Sequence, residues 1–401
     1  TALSASWNAG SDSGPSGVRD YDVCFSSAST GCTNISGTTT QTGNTARTAT
    51  ATATGMASGS TYYTCVRVYD NAGNVSAWSC SNGFSIDTSL PTNPTQSNIF
   101  DLSIALVDAT WSNSATTLSA SWNTGADSGS GLASYDVCFS TVNTGCTNIA
   151  GTTTSTGNTS RTAVATATSM TSGTTYYSCI RTTDVAGNVA AWQCSNGFTI
   201  DTAAPSGTIS ASPAGPIGGT TNSISGTSSD ALSGVQRIDV RYSGSASGTL
   251  CSSTTGLASW SCNWDVSALT PGTYTLTLEV TDIAGNREAS AITRTIDVSN
   301  SIPSNPTTAN IFDLSTTLTD LDWSASTTSL SASWNAGSDT SSGIRDYSVC
   351  FSTASNACSA IPGTSVQTGN TTRTATATAT GMTSGTTYYV CVLTYNNANI
   401  P

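Results

Sequence analysis

The side chains of this chain that could do chemistry are carboxylates and thiols. Its 401 residues include no His, and all eleven basic residues are Arg. Without His there is no Ser-His-Asp triad, no Cys-His dyad and no His-ligated metal. The carboxylates gather in turns that recur. One turn reads Asp70-Asn71-Ala72-Gly73-Asn74, returns at Asp184 and Asp282, and decays to Asn396-Asn397-Ala398-Asn399. A second holds Asp12, Asp127, Asp230 and Asp339, each a few residues before a Gly. A third set opens Pro-bearing segments: Asp87, Asp201 and Asp297. Hard oxygen ligands converging at one pole would suit Ca2+, which takes six to eight oxygens. The candidate ligands are therefore Asp12, Asp70, Asp87, Asp127, Asp184, Asp201, Asp230, Asp282 and Asp297, with Ca2+ as the candidate cofactor. Asp, Asn and Gly also form turns unaided, so both readings stand at this point. Asn396 weakens any such site in the last repeat.

Paired carboxylates for glycoside hydrolysis need two groups in a cleft. Glu occurs only at Glu279 and Glu288, and neither recurs. No Gly-rich phosphate loop leads from a strand into a helix. The chain is expected not to be an enzyme.

The thirteen Cys fall beside turns. Cys24 and Cys32 flank one turn, and Cys65 and Cys80 flank another, which predicts hairpin disulfides Cys24–Cys32 and Cys65–Cys80. The parity of their strands predicts that these lie on the solvent face. The pattern repeats as Cys138–Cys146 and Cys179–Cys194. A local pair Cys251–Cys262 follows, then Cys350–Cys358, which leaves Cys391 without a partner. A Cys24–Cys65 linkage between adjacent strands is the competing arrangement. Each short loop closed is worth about 2–3 kcal/mol. No CxxC motif and no basic neighbourhood favours a reactive thiolate. Regularly spaced Cys in an acidic, Thr-rich chain point to an oxidising compartment, extracellular or at the cell surface.

Repeats must position these groups. TALSASWNAGSD at 1–12 recurs as TTLSASWNTGAD from Thr116 and TSLSASWNAGSD from Thr328. A different module sits between the second and third copies. The expected modules are 1–88, 89–202, 203–302 and 303–401, with the first strand missing from the first and the last strand missing from the fourth. Short Pro-bearing joints between them should be semi-rigid. Within a copy, residues alternate with period two: Tyr21, Val23 and Phe25 inward, then Ala49, Ala51 and Ala53, then Tyr62, Val66 and Val68. Such runs, bounded by Gly, Asn, Asp and Ser, predict antiparallel β-sandwiches and no helix. Trp7, Trp122 and Trp334 are expected in the cores. Trp78 and Trp192, beside Cys80 and Cys194, would cover a disulfide or a joint, or stack on sugar rings.

These residues resemble a fibronectin type III module: Trp7, Tyr21-x-Val23-x-Phe25, and Met56 followed by Gly59-Ser60-Thr61-Tyr62. Tyr62, Tyr176 and Tyr388 match its tyrosine corner, whose hydroxyl would tie back to the backbone. ISGTSSDALSGVQRIDVRY and TPGTYTLTLEVTDIAGNRE are similar to bacterial immunoglobulin-like repeats. The resemblance implies an all-β, elongated tandem array of four antiparallel β-sandwich modules, as in large bacterial surface adhesins or extracellular filament proteins.

The net charge is −12 and charged residues are 8% of the chain, against about 25% in ordinary globular proteins. With pI ≈ 4.1 and no basic run, nucleic-acid binding is excluded as a function class. No apolar run approaches a membrane span of about 18 residues. The expected function is a rod-like, non-catalytic stalk of a large bacterial surface protein. The alternatives are a subunit of a polymeric extracellular filament and a glycan-binding accessory region of a secreted hydrolase. Expected partners are other repeats of the same protein, identical subunits, or a cell-surface or glycan ligand. The counterpart of Cys80 for Cys391 would fall just past Pro401, and the first copy lacks the lead-in that precedes the second and fourth. Both suggest a window from a longer array, or end modules completed by neighbours.

Overall fold

Alternation of apolar and polar residues along short strands builds the whole structure, a computed structural model that describes residues 1–401. Its only helical segments are two single 3-10 turns, Gln96–Asn98 and Thr308–Asn310. The chain divides into two compact units, Thr1–Ile200 and Asp201–Pro401, and each contains two sandwiches.

In the first unit, the opening sandwich pairs Ala2–Ser6 with Thr48–Thr52. Opposite lies a sheet ordered Gln41–Asn44, Val18–Ser26, Thr61–Asp70, Ser79–Cys80. Leu3, Val23, Phe25, Ile35, Ala49, Ala53 and Tyr62 form its core, with Ala51, Met56 and Val66 packed against them. Val68 is only half-buried. The second sandwich adds a third strand to the smaller sheet, giving the order Thr162–Thr166, Thr117–Trp122, Ile99–Asp101. Its other sheet runs Ser155–Asn158, Leu132–Ser140, Thr175–Asp184, Phe198–Ile200, Trp111–Ser112. The Trp122 ring meets Tyr135 edge-on at 5.6 Å. Trp122 and Trp334 are fully buried, but Trp7, in the same SASW motif, is half-buried. Trp7 still packs against the first core and meets Tyr21 edge-on at 5.8 Å.

The tyrosine corners are present in all three copies. The N–H groups of Ala57, Thr171 and Thr383 donate to the hydroxyls of Tyr62, Tyr176 and Tyr388 at 2.9, 3.0 and 3.0 Å. Each pins the turn that precedes the long strand.

In the second unit, Ser206–Ile209, Asn222–Ser229 and Ser259–Trp264 face a sheet of Gly248–Ser253, Val235–Ser243, Gly272–Asp282 and Ile292–Val298. Trp260, Trp264, Tyr274 and the alternate residues Leu276, Leu278 and Val280 fill the core. Gly226 is required there. A Cβ at that position would lie 1.9 Å from the Thr208 carbonyl oxygen and 2.3 Å from the Trp260 ring. The last sandwich repeats the second: Ile311–Asp313, Ser329–Trp334 and Thr374–Thr378 face Gln367–Asn370, Ile344–Ser352 and Tyr389–Asn396.

Several carboxylates are buried, and Asp101 is one of three that are fully so, with Asp201 and Asp282. Asp101 Oδ1 accepts from Ser178 N at 3.2 Å and Ser195 Oγ at 3.0 Å, while Oδ2 has no partner. Burial pushes its carboxyl up to about 6, against the pull of those two serines. An unfolded Asp loses its proton near 3.9, so the folded state holds more protons between about 4 and 6. Stability from this group is full below that window and declines as pH rises through it, by an amount on the order of 2–3 kcal/mol. Asp313 is raised in the same way by burial, whereas Asp12, Asp87 and Asp201 are lowered and act in the opposite sense, so the effect is read as a difference. Denaturant unfolding of Asp101→Asn against the parent should show the variant gaining relative stability from pH 4 to 6, then a constant difference above. A flat difference throughout would contradict a protonated Asp101.

Candidate metal centres and disulfide staples

Register places the sulfurs. The long strands Val18–Ser26 and Thr61–Asp70 set Cys24 opposite Cys65, and the second copy sets Cys138 opposite Cys179. Cys24 is bonded to Cys32 and Cys65 to Cys80, with Cα separations of 5.8 and 3.9 Å. Cys138 is bonded to Cys146, Cys179 to Cys194, Cys251 to Cys262 and Cys350 to Cys358. Cys391 is free and lies opposite Cys350. Burial pushes its thiol up from the ordinary value.

The expectation of solvent-facing disulfides is wrong. Cys24, Cys65, Cys138 and Cys179 are fully buried. They do point away from the main core, as parity requires. Yet the two bonds lie side by side, and a turn folds over them: the Cys65 sulfur is 4.0 Å from Ala28 O and the Cys80 sulfur 3.5 Å from Gly31 O. In the second copy, Cys138, Cys179 and Cys194 form a small core of their own with Cys146, Tyr177 and Trp192. In the last copy only Cys358 is exposed, and its partner Cys350 is buried.

The bond between Cys251 and Cys262 departs further from a surface hairpin. Cys251 lies on Gly248–Ser253 and Cys262 on Ser259–Trp264, strands of opposite sheets. The bridge therefore runs across the sandwich. Cys262 is buried in the core, and Cys251 packs against it half-buried. The turn they flank carries the chain from one sheet to the other, so symmetry about a turn did not mean pairing within one sheet.

Beside the sulfurs of the second copy, Arg181 pairs with Asp136 at 2.9 Å and stacks on Trp192 at 4.7 Å. Arg67, Asp22 and Trp78 repeat this at 2.7 and 4.7 Å. A planar guanidinium can pair at its edge and stack on its face at once, which an ammonium cannot.

The acidic turns converge in two places. Carboxylate oxygens of Asp87, Asp127 and Asp184 lie within 4.8 Å of one another, and so do those of Asp201, Asp230 and Asp282. Each carboxylate also caps backbone. Asp87 accepts from Ser89 N at 2.9 Å and Ser130 N at 2.7 Å. Asp127 Oδ2 accepts from Gly129 N and Gly131 N. Asp184 accepts from Asn188 N and Nδ2 at 2.7 and 2.8 Å. The donors of Ser89, then Ser130, hold the Asp87 carboxyl down at about 2. Burial raises Asp201, but the donors of Ser233 and Ala203 outweigh it and leave the carboxyl below its usual range. Asp127 Oδ1 is buried with no hydrogen-bond partner. This all-oxygen donor set fits a hard cation such as Ca2+.

The remaining candidates do not assemble this way. Asp12 and Asp70 are bridged by Ser16 Oγ at 2.9 and 3.2 Å, without a third carboxylate. Asp297 lies away from the acidic turns, accepting from Thr273 Oγ1 at 2.6 Å. Its expected place is taken by Ser301, which donates to Asp339 at 2.7 Å. The repeats also share a clamp that spacing alone did not single out. Asn188 Nδ2 donates to Asp87 O at 3.0 Å, Asn286 Nδ2 to Asp201 O at 2.8 Å and Asn396 Nδ2 to Ser301 O at 2.9 Å. Asn396 also accepts from Ala398 N and Ile400 N, so the amide keeps the turn and loses the charge. The recurring Gly187-Asn188 and Gly285-Asn286 pairs were the signal for it.

A Cβ on Gly129 would lie 2.2 Å from Asp87 Oδ2. Gly129→Ala should therefore expel that carboxylate and lower stability by about 1–3 kcal/mol. Urea unfolding checks this, with Gly145→Ala, where a Cβ meets nothing within 4 Å, as the neutral control.

Comparison with known proteins supports the architecture. Residues 205–278 match the bacterial Ig domain and residues 316–400 the fibronectin type III domain. Exoglucanase B of Cellulomonas fimi is 38% identical over 91 residues, which is 23% of this chain. The chain spans 7% of that relative's length. Among solved structures, the fibronectin(III)-like modules of Clostridium thermocellum CbhA align at 13% identity over 50% of this chain and 92% of theirs, with a TM-score of 0.34. A tetra-tandem repeat from the extending region of a large adhesion protein aligns at 14% identity over 95% of this chain and 89% of its own, with a TM-score of 0.26. The chain is thus a tandem of β-sandwiches that carries a bacterial Ig domain at 205–278 and a fibronectin type III domain at 316–400.

Proposed function

We propose that this chain is a non-catalytic extracellular repeat region, a stalk that spaces the working part of a bacterial surface protein from its anchor. One observation carries the reading: the joint between the first two sandwiches is tied on both sides. Thr88 N donates to Ser58 Oγ of the first sandwich at 3.1 Å. Asp87 accepts from Ser130 N, and its carbonyl accepts from Asn188, both of the second. A spacer transmits load through such joints, and the disulfides on the central strands limit how far each sandwich extends.

Ca2+ at Asp87, Asp127 and Asp184, and at Asp201, Asp230 and Asp282, stiffens the acidic turns in this reading. At least one carboxylate of each cluster is held in its ionised form, and no Lys or Arg forms an ion pair with any of the six. A divalent cation would relieve the repulsion. Ca2+ at a hundredfold excess over its Kd should stabilise the folded state by about 2.7 kcal/mol. Melting with Ca2+ and with EDTA should differ, and the Asp127→Asn plus Asp230→Asn double variant should lose the difference. Identical melting in both conditions overturns the Ca2+ assignment.

The likeness to Exoglucanase B supports a second reading, an accessory region of a secreted hydrolase. Depletion assays on insoluble cellulose and chitin separate the two. The spacer reading predicts no retention of the purified chain. Saturable retention contradicts it and favours the accessory region.

A further inference from the structure

The second sandwich leaves one edge of its smaller sheet uncapped. The strand order there ends on Thr162–Thr166, which pairs only with Thr117–Trp122. Ala167 N donates to Thr116 O at 2.8 Å and Trp122 N to Arg161 O at 3.1 Å. Bonding alternates along an antiparallel pair. Ala163 and Ala165 therefore bond inward, and Thr162, Val164 and Thr166 turn their N–H and C=O groups outward.

The same edge is capped in the two sister copies. In the first, Gln41 Nε2 donates to Thr50 O and Asn44 Nδ2 to Thr48 O, both at 2.7 Å. In the last, Gln367 Nε2 donates to Thr376 O at 2.8 Å and Asn370 Nδ2 to Thr374 O at 2.6 Å. Gln41 lies opposite Val23 and Gln367 opposite Val349; the residue opposite the matching Val137 is Ser155. A serine is too short to reach the edge. Asn158 turns the other way, its Nδ2 donating to Tyr135 O at 3.3 Å and Ser155 O at 3.1 Å. Ser160 Oγ alone approaches, 3.4 Å from Thr162 O. The exposed face changes as well. Val164 stands where Thr50 and Thr376 stand, and it is 74% exposed. From Ser155 to Thr168 the only charged residue is Arg161. The edge thus lacks both the acidity of the chain as a whole and the charges that usually keep edge strands apart.

The strand reads Thr-Ala-Val-Ala-Thr in either direction. An antiparallel two-fold through Val164 sets it against the partner's Val164, and Thr162 against the partner's Thr166. Residues with outward backbone groups then meet only their like, so those groups pair with no shift of register. Val–Val and Thr–Thr neighbours are favourable across strands.

We propose that Thr162–Thr166 is a homotypic docking strand, which pairs antiparallel with the same strand of a second copy of this chain about a two-fold axis at Val164. The contact is smaller than the roughly 1,200 Å2 of a stable interface, so it is reversible and gains from chains displayed side by side. The pairing holds for a stalk and for an accessory region alike.

The test is sedimentation equilibrium of the 401-residue chain, with Cys391→Ser throughout so that no intermolecular disulfide forms. A concentration series should show a reversible monomer–dimer equilibrium. Ser155→Gln restores the amide of the sister copies and should weaken association about tenfold, whereas Ser155→Ala should leave it unchanged. Val164→Lys, at an exposed position, should also weaken it, by placing like charges across the two-fold axis. A photoreactive residue at position 162 should give a crosslinked dimer whose junction maps near Thr166. A monomer at every concentration, a dimer indifferent to both Ser155→Gln and Val164→Lys, or a junction outside residues 160–168 would each overturn the assignment.

Discussion

The antiparallel register of the two long central strands is the constraint on which each fibronectin-type repeat depends. It aligns Tyr21, Val23 and Phe25 with the core and sets Cys24 against Cys65 on the opposite face. The same register places Asp22 across from Arg67, so an ion pair and two disulfides share one surface of one strand pair. Small side chains such as Ala49 and Ala53 fill the inner face, and alone they bury little apolar area. The sulfur layer supplies a second buried surface that aliphatic residues supply in larger cores. This explains how a chain with 8% charged residues and a thin core holds its strands in place.

The acidic turns serve the same end at the poles. Each carboxylate caps backbone N–H groups that a tight turn leaves unpaired, and Asn188 and Asn286 reach from the turn to the joint. In the last sandwich Asn396 caps its turn and holds Ser301 with a neutral amide. Capping therefore does not need the negative charge. The charge is kept at Asp184 and Asp282, where three carboxylates meet, and also at Asp70, which meets only Asp12 through Ser16.

Much of this was legible in the sequence. Period-two runs and the tyrosine corners mark strands and their entry turns, because each depends on residues close along the chain. Cysteines straddling a turn mark hairpins for the same reason. Burial of the disulfides was not legible, because it depends on two strands distant in sequence laying their sulfurs side by side. Nor was the crossing of Cys251–Cys262 between sheets, because a short turn can close a hairpin or change sheet with the same spacing. Ser301, not Asp297, enters the last acidic turn because the joint before Pro303 is built differently from the other two, so counting from its Asp misleads. Asp101 is an acid inside a core, against every compositional expectation, and only the paired Ser178 and Ser195 explain its place.

Disulfide mapping of the native chain by peptic digestion and mass spectrometry under non-reducing conditions tests most directly the buried sulfur layer that this register builds. The structure predicts the pairs Cys24–Cys32 and Cys65–Cys80, and their counterparts Cys138–Cys146, Cys179–Cys194 and Cys350–Cys358. Cys251–Cys262 completes the pattern, with Cys391 as a free thiol. A peptide joining Cys24 to Cys65, or Cys138 to Cys179, would mean that the facing sulfurs bond across the central strands. The hairpin staples and the buried sulfur layer would then be wrong.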